Sequence, residues 1–143
     1  GKRFPLEARY QSELGRLYLA AGRFDEALRC YQAARRNPSL HLGAGIGAGR
    51  CLAAKGLLDL AEREFTDCLS LTSARSRERL EVLYELAELF ERSGRSEEAF
   101  AQFKEIYASD ASYRDVGDRI GAYVRQQDAA RGTGRPPGQE NAG

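Results

Sequence analysis

Seven residues in the middle of the chain, Gly43-Ala44-Gly45-Ile46-Gly47-Ala48-Gly49, have the glycine density that a phosphate-cradling loop uses. Their spacing is neither G-x-G-x-x-G nor G-x-x-x-x-G-K-[ST], and no strand pattern precedes them, so a nucleotide loop is set aside. The run reads instead as a helix of small residues that lets a neighbouring helix or a ligand backbone come close. Each glycine in a helix interior costs about 0.8–1 kcal/mol relative to alanine, and four cost roughly 3–4 kcal/mol. This segment is therefore expected to be the most easily opened helix of the chain.

Acid–base or metal chemistry is hard to assemble. His41 is the single histidine, beside Leu40 and Leu42, and neither a second histidine nor a cysteine at ligand spacing accompanies it. Cys51 is the conceivable nucleophile partner for His41, but ten residues along one helix span about 15 Å, beyond hydrogen-bond reach. Cys30, Cys51 and Cys68 form no C-x-x-C pair. They read as core thiols in a reducing compartment, which makes the cytoplasm the expected location. No enzyme activity, no metal and no cofactor is expected.

The charges carry more. The chain has 22 basic and 21 acidic side chains in 143 residues, for a net charge of +1. That balance gives no general pull toward nucleic acid or anionic lipid. Arginine supplies nearly all of the positive charge, and with abundant Ala and Gly this suggests a GC-rich, bacterial genome. No apolar run approaches the length of a bilayer span, so no membrane insertion is expected. The chain starts Gly1-Lys2-Arg3 without Met or an apolar leader core, and so reads as a fragment or processed form.

The elements that position these residues come from a repeat. Leu14-Gly15, Tyr18, Gly22, Ala27, Tyr31, Ala34 and Pro38 mark two apolar periodic runs around one turn glycine, a helix–turn–helix unit. Thirty-four residues on, Gly49, Leu52, Gly56, Ala61, Phe65 and Cys68 repeat it. A third copy, anchored by Gly94 with Ala99, Phe103 and Ile106 after it and Leu83, Leu86, Ala87 and Phe90 before it, follows after 38 residues. The four extra residues fall around Thr72–Arg79, where a longer loop or an extended helix end is expected. Helices are predicted at about 6–21, 24–36, 40–55, 58–71, 77–93, 96–108 and 112–127. Each turn glycine supplies the left-handed angle that ends the first helix of a pair. Such units bury both faces only when stacked.

This pattern resembles the tetratricopeptide repeat, with its L-G-x2-Y, G, A, aromatic, A and P positions; Gln11, Gly45 and Ala87 depart from it. The resemblance covers roughly residues 8 to 113. It implies an all-α fold, an α-solenoid of antiparallel helix pairs in a right-handed superhelix with seven helices. The divisions are a lead-in (1–7), repeat one (8–41), repeat two with its longer connection (42–79), repeat three (80–113), a capping helix (114–128) and a disordered tail (129–143). In the cap, Val116, Ile120, Tyr123 and Val124 are expected to cover repeat three, with Arg114, Asp118, Arg125 and Gln126 facing water.

In such arrays the first helix of each pair lines a concave groove. By that resemblance the groove presents Arg9, Ser12, Glu13 and Arg16 from repeat one. Repeat two adds Gly43, Ile46, Gly47, Arg50 and Ala54, and repeat three Glu81, Tyr84, Glu85, Glu88 and Arg92. Independently of the family, Glu81, Glu85 and Glu88 share one helical face by spacing. The groove is thus expected to be basic at one end, small and apolar in the middle and acidic at the other. It would suit an extended or helical peptide of a partner protein, with acids over repeat one and bases over repeat three. The competing account is solvated helix faces with internal pairs such as Arg9–Glu13 and Glu88–Arg92. Members of the family that clamp an acidic chaperone C-terminus use Lys/Asn/Asn/Lys/Arg. Ser12, Arg16, Gly47, Glu81 and Glu85 stand at those places, which argues against that ligand. The expected function is a protein-interaction or scaffolding module of a larger assembly, and a nucleic-acid-binding helical repeat is the alternative. A homodimer through the terminal helices stays open.

Overall fold

Three turn glycines set the architecture. Gly22, Gly56 and Gly94 have φ of 77°, 80° and 77°, in the left-handed region that glycine enters without a Cβ clash. At each, the amide after the glycine reaches back five residues: Arg23 to the Tyr18 carbonyl at 2.9 Å, Leu57 to Leu52 at 2.9 Å and Arg95 to Phe90 at 2.8 Å. The same Schellman closure is thus built three times, satisfying carbonyls that a helix end would otherwise leave bare.

The computed structural model describes residues 3–133. Among them are seven α-helices: α1 (Arg3–Ala20), α2 (Phe24–Ala34), α3 (His41–Ala54), α4 (Leu58–Ser70), α5 (Arg77–Arg92), α6 (Ser96–Ser109) and α7 (Val116–Thr133). A 3-10 turn, Pro38–Leu40, leads into α3. Successive helices pack on one another all along the chain, giving an α-solenoid of antiparallel pairs: α1/α2, α3/α4 and α5/α6, with α7 added at the end. No helix among the described residues is long and apolar enough to cross a membrane.

The extra residues of the 38-residue step go into helix, not loop. α4 has 13 residues where α2 has 11, and α5 has 16 where α3 has 14. Ser76, whose hydroxyl accepts from the Arg79 amide at 3.2 Å, caps the lengthened α5.

Two expectations change at the ends. α1 starts at Arg3, so most of the lead-in 1–7 is already helix. α7 starts at Val116 and runs through Thr133, so residues 129–133 of the expected disordered tail are helical. The remainder of that tail lies outside the described residues.

The core follows the repeat positions. Ala27, Tyr31 and Ala34 of α2 cluster with Ala44, Ala48 and Cys51 of α3. Ala61, Phe65 and Cys68 of α4 join α5, Phe103 and Ile106 of α6, and Val116 of α7 in a second, larger cluster. Ala44 through Gly49 are all buried, and the glycines among them admit rings. A Cβ on Gly47 would meet the Tyr31 ring, one on Gly49 would stand 2.8 Å from Phe65 Cδ1, and one on Gly45 2.7 Å from Cys68 Sγ. The intrinsic helix penalty of this segment is therefore offset by close packing on both sides. At the far end Val116 is buried, Ile120 packs on the core and the Tyr123 ring lies 4.0 Å from that of Phe100. Val124, expected to join them, is exposed.

Candidate protein-interaction surface

The first helices of successive pairs lie side by side and share one face, and side chains tie α3 to α5 and α5 to α7. Arg50 of α3 reaches α5 with both ends of its guanidinium, Nη2 to Glu81 Oε1 at 2.6 Å and Nε to Glu85 Oε1 at 2.9 Å. Arg92 of α5 reaches back, Nη1 donating to the Ala53 carbonyl at 3.0 Å. Arg119 of α7 pairs with Glu88 at 2.8 Å, with Glu91, and with Asp115 of its own segment at 3.0 Å. On α1 the pair is Glu13 with Arg16.

This arrangement corrects the charge pattern read from the sequence. The carboxylates of α5 are not a bare acidic end. Glu81 and Glu85 hold Arg50, and Glu88 and Glu91 hold Arg119. The internal pairs are also different ones: Glu13 takes Arg16 rather than Arg9, and Glu88 takes Arg119 rather than Arg92. Sequence spacing favours partners on the same helix, whereas the solenoid brings a neighbouring helix just as close. Two expected groove residues are not offered to a ligand as side chains, since Ile46 and Tyr84 are buried. Arg9 and Glu13 remain exposed, and Ser12 is half-buried.

Tyr84 is the centre of a cluster that the repeat pattern did not single out. Its ring meets Phe103 and Tyr113 edge-on at 5.8 Å and 6.1 Å, and its hydroxyl donates to Asp115 Oδ1 at 2.6 Å. Burial, with the carboxylate beside it, pushes the phenol up to about 12. The bond from Tyr84, aided by Arg119, holds the Asp115 carboxyl below its ordinary value. Arg114 is exposed, as expected, and its guanidinium lies over Tyr84 and Tyr113 at 4.8 Å and 5.5 Å. It sits at φ 41°, a conformation L residues enter at a cost of about 1–2 kcal/mol. Stacking on two rings offsets that strain. Arg114 lies in the six-residue link, 110–115, between α6 and α7.

Family comparison agrees with this geometry. A family model described as tetratricopeptide repeat matches residues 12–67 and 70–114, most of the chain. The chain belongs to the tetratricopeptide repeat family. No curated protein matches it by sequence. Among solved structures it is similar to MamA, with 13% identity and a TM-score of 0.71 over 89% of this chain and 72% of that one. It is also similar to the Yersinia enterocolitica type III secretion chaperone SycD, solved in complex with a peptide of the translocator YopD. That match has 17% identity and a TM-score of 0.70 over 83% of this chain and 93% of SycD. PcrH, solved with the chaperone binding region of PopB, gives 18% identity and a TM-score of 0.65 over 82% and 92%. At these identities the likeness shows the shared fold.

Of the five places that the resemblance gives to the chaperone-tail clamp, four are otherwise engaged. Gly47 lies under the Tyr31 ring, Glu81 and Glu85 hold Arg50, Arg16 holds Glu13, and Ser12 is too short to reach across. The residues weighed for chemistry have structural places as well. Cys30, Cys51 and Cys68 are buried, and burial pushes the thiols of Cys51 and Cys68 up to about 11, which disfavours a thiolate nucleophile. His41 is exposed, its Nδ1 3.1 Å from the Arg35 carbonyl at the end of α2.

Proposed function

We propose that this tetratricopeptide protein holds a peptide or helix of a partner protein along the face shared by α1, α3, α5 and α7. The observation that carries the reading is the set of cross-helix ties, Arg50 to Glu81 and Glu85 and Arg119 to Glu88 and Glu91. They fix α3, α5 and α7 into one continuous surface, which is preorganised and so costs a ligand little ordering, and α1 packs beside α3 at its end. SycD and PcrH, which share the fold, are each solved with a segment of a partner. In this chain the contact residues are Arg9, Ser12, Glu13 and Arg16 at the α1 end, with Arg50, Glu81, Glu85 and Glu88 further along. A basic side chain of the ligand meets Glu81, Glu85 and Glu88 only by sharing them with Arg50 and Arg119. Acidic residues are therefore placed over Arg9, and over Arg16 where they share it with Glu13.

Selection from a random peptide display library against the chain tests this. Enriched peptides should carry acids, and their binding should fall about tenfold or more with the pair Arg9→Glu and Arg16→Glu, a loss of about 1.4 kcal/mol. Binding should be unchanged by Arg63→Glu, an exposed position on α4. Peptides that respond to Arg63 and ignore Arg9 and Arg16 would place the ligand on the other side and refute the proposal.

A further inference from the structure

Two clefts recur at one place in successive repeats, where the link between pairs enters a first helix beside the end of the next second helix. The first, of about 400 Å³, is lined by Arg35, Arg36, Pro38, His41 and Leu42 around the start of α3 and by Leu71 at the end of α4. The second, of about 560 Å³, is lined by Arg75, Arg77 and Leu80 around the start of α5 and by Ser109 and Asp110 at the end of α6. Leu42 and Leu71 stand 38 residues before Leu80 and Ser109, the step from repeat two to repeat three. Both volumes are large enough to take side chains of a ligand.

Positive charge in these clefts is left over. Arg35 is taken by Glu64 of α4. Asp110, the one carboxylate lining either cleft among the described residues, accepts from the Ser112 amide at 3.0 Å and the Ser112 hydroxyl at 2.7 Å, with the Arg77 guanidinium 3.5 Å away. Arg36 and Arg75 are exposed, and neither guanidinium has a hydrogen bond, ion pair or ring contact among the described residues. The His41 ring turns Nδ1 to the Arg35 carbonyl at 3.1 Å, so in the neutral ring the proton sits there and Nε2 is an acceptor. The free donor in each cleft is thus an arginine, whose planar fork matches a carboxylate. Beside Arg36 the cleft is also apolar, and its Leu71 is 56% exposed.

We propose that this link edge docks an acidic segment of a partner protein, with one carboxylate on Arg36, another on Arg75, and an aliphatic side chain against Leu42 and Leu71. The two arginines belong to successive links, so a segment that meets both runs along the edge. A single-stranded RNA would meet the same cations, but no Phe, Tyr or Trp lines either cleft for its bases to stack on. The surface is separate from the inner face. Arg36 and Arg75 lie in the links between pairs and not on the first helices, so either proposal can fail without the other.

The test is an NMR titration of the isotopically labelled chain with the end-blocked synthetic peptide EELEELEE. Amides of residues 35–42, 71–80 and 108–110 should shift, and affinity is read from them alone. Arg36→Glu with Arg75→Glu should weaken that binding about tenfold or more, and so should replacing the peptide's glutamates by glutamine. Neither arginine has a partner to lose, so the doubly substituted chain should keep its circular dichroism spectrum. Arg9→Glu with Arg16→Glu, which perturbs the inner face, should leave these amides responding as before. Four results would overturn the proposal: no shifts in these segments at millimolar peptide, equal binding of the glutamine peptide, shifts that survive the Arg36 and Arg75 substitutions, or a ten-nucleotide oligouridylate that binds the same amides more tightly than the peptide. The last would make the edge a nucleic-acid surface.

Discussion

Two alanine substitutions four residues apart on α3 should act in opposite directions. Tyr31, almost wholly buried, stands between Gly15 of α1 and Gly47 of α3. A Cβ on Gly47 would lie 2.7 Å from Tyr31 Cδ1 and closer still to Cζ, a separation real Cβ atoms do not adopt. The ring has little room to retreat, because a Cβ placed on Gly15 would already stand 3.1 Å from Cζ, so the space on the α1 side is smaller than a methyl group. Gly47→Ala thus overpacks the core at about 2–3 kcal/mol, the upper part of the usual range because the Cβ overlaps three ring atoms, against a helix-propensity gain of about 1 kcal/mol, for a net loss of about 1–2 kcal/mol. At Gly43 a Cβ meets nothing within 4 Å, and Gly43→Ala should gain about 0.5–1 kcal/mol. Thermal melts should then show Tm lowered by about 3–8 °C for Gly47→Ala and raised by about 2–4 °C for Gly43→Ala. In a Tyr31→Leu background the Gly47→Ala penalty should shrink by more than half. If Gly47→Ala raises Tm as Gly43→Ala does, ring packing is not what these glycines serve.

Arg50→Gln leaves Glu81 and Glu85 without their shared cation and should lower stability in urea by about 1–2 kcal/mol, with part restored by adding Glu85→Gln. The Asp115 carboxyl, held low by Tyr84 and Arg119, takes up a proton less readily in the native state than in the unfolded chain. Its stabilisation is therefore complete above the ordinary carboxylate range and is lost as pH falls below about 4. Urea titrations across that window should show a shallower acid decline for Asp115→Asn. A thiol reagent at pH 8 should leave Cys51 and Cys68 unmodified in the native chain and label all three cysteines after denaturation. Rapid native labelling of Cys68 would contradict its place beneath α3.

Much of this protein was legible before any coordinates. Turn glycines followed by an acidic first turn and a core alanine are local chemistry, and local chemistry repeats in the sequence wherever it repeats in space. Gly22, Gly56 and Gly94 therefore located every helical hairpin, and the register fixed Ala27, Phe65, Phe103 and Val116 as core. The candidate surface was legible only as a set of helix positions. That Ile46 and Tyr84 are covered, and that Arg50 and Arg119 neutralise the carboxylates of α5, depends on how close one first helix lies to the next.

The division has one physical cause. The sequence alone determined the hairpins, their number and their stacking order, because a 3.6-residue period and a left-handed glycine act within a dozen residues. Only the tertiary structure decided which charges pair, why α3 is glycine-rich, and how four inserted residues became two helix extensions. The cross-helix charge pairs of Arg35, Arg50 and Arg119 join residues 28 to 35 apart and the glycines of α3 meet Tyr31, Phe65 and Cys68 from 16 to 23 residues away, so both are settled by the distance between helices rather than by any pattern along one of them.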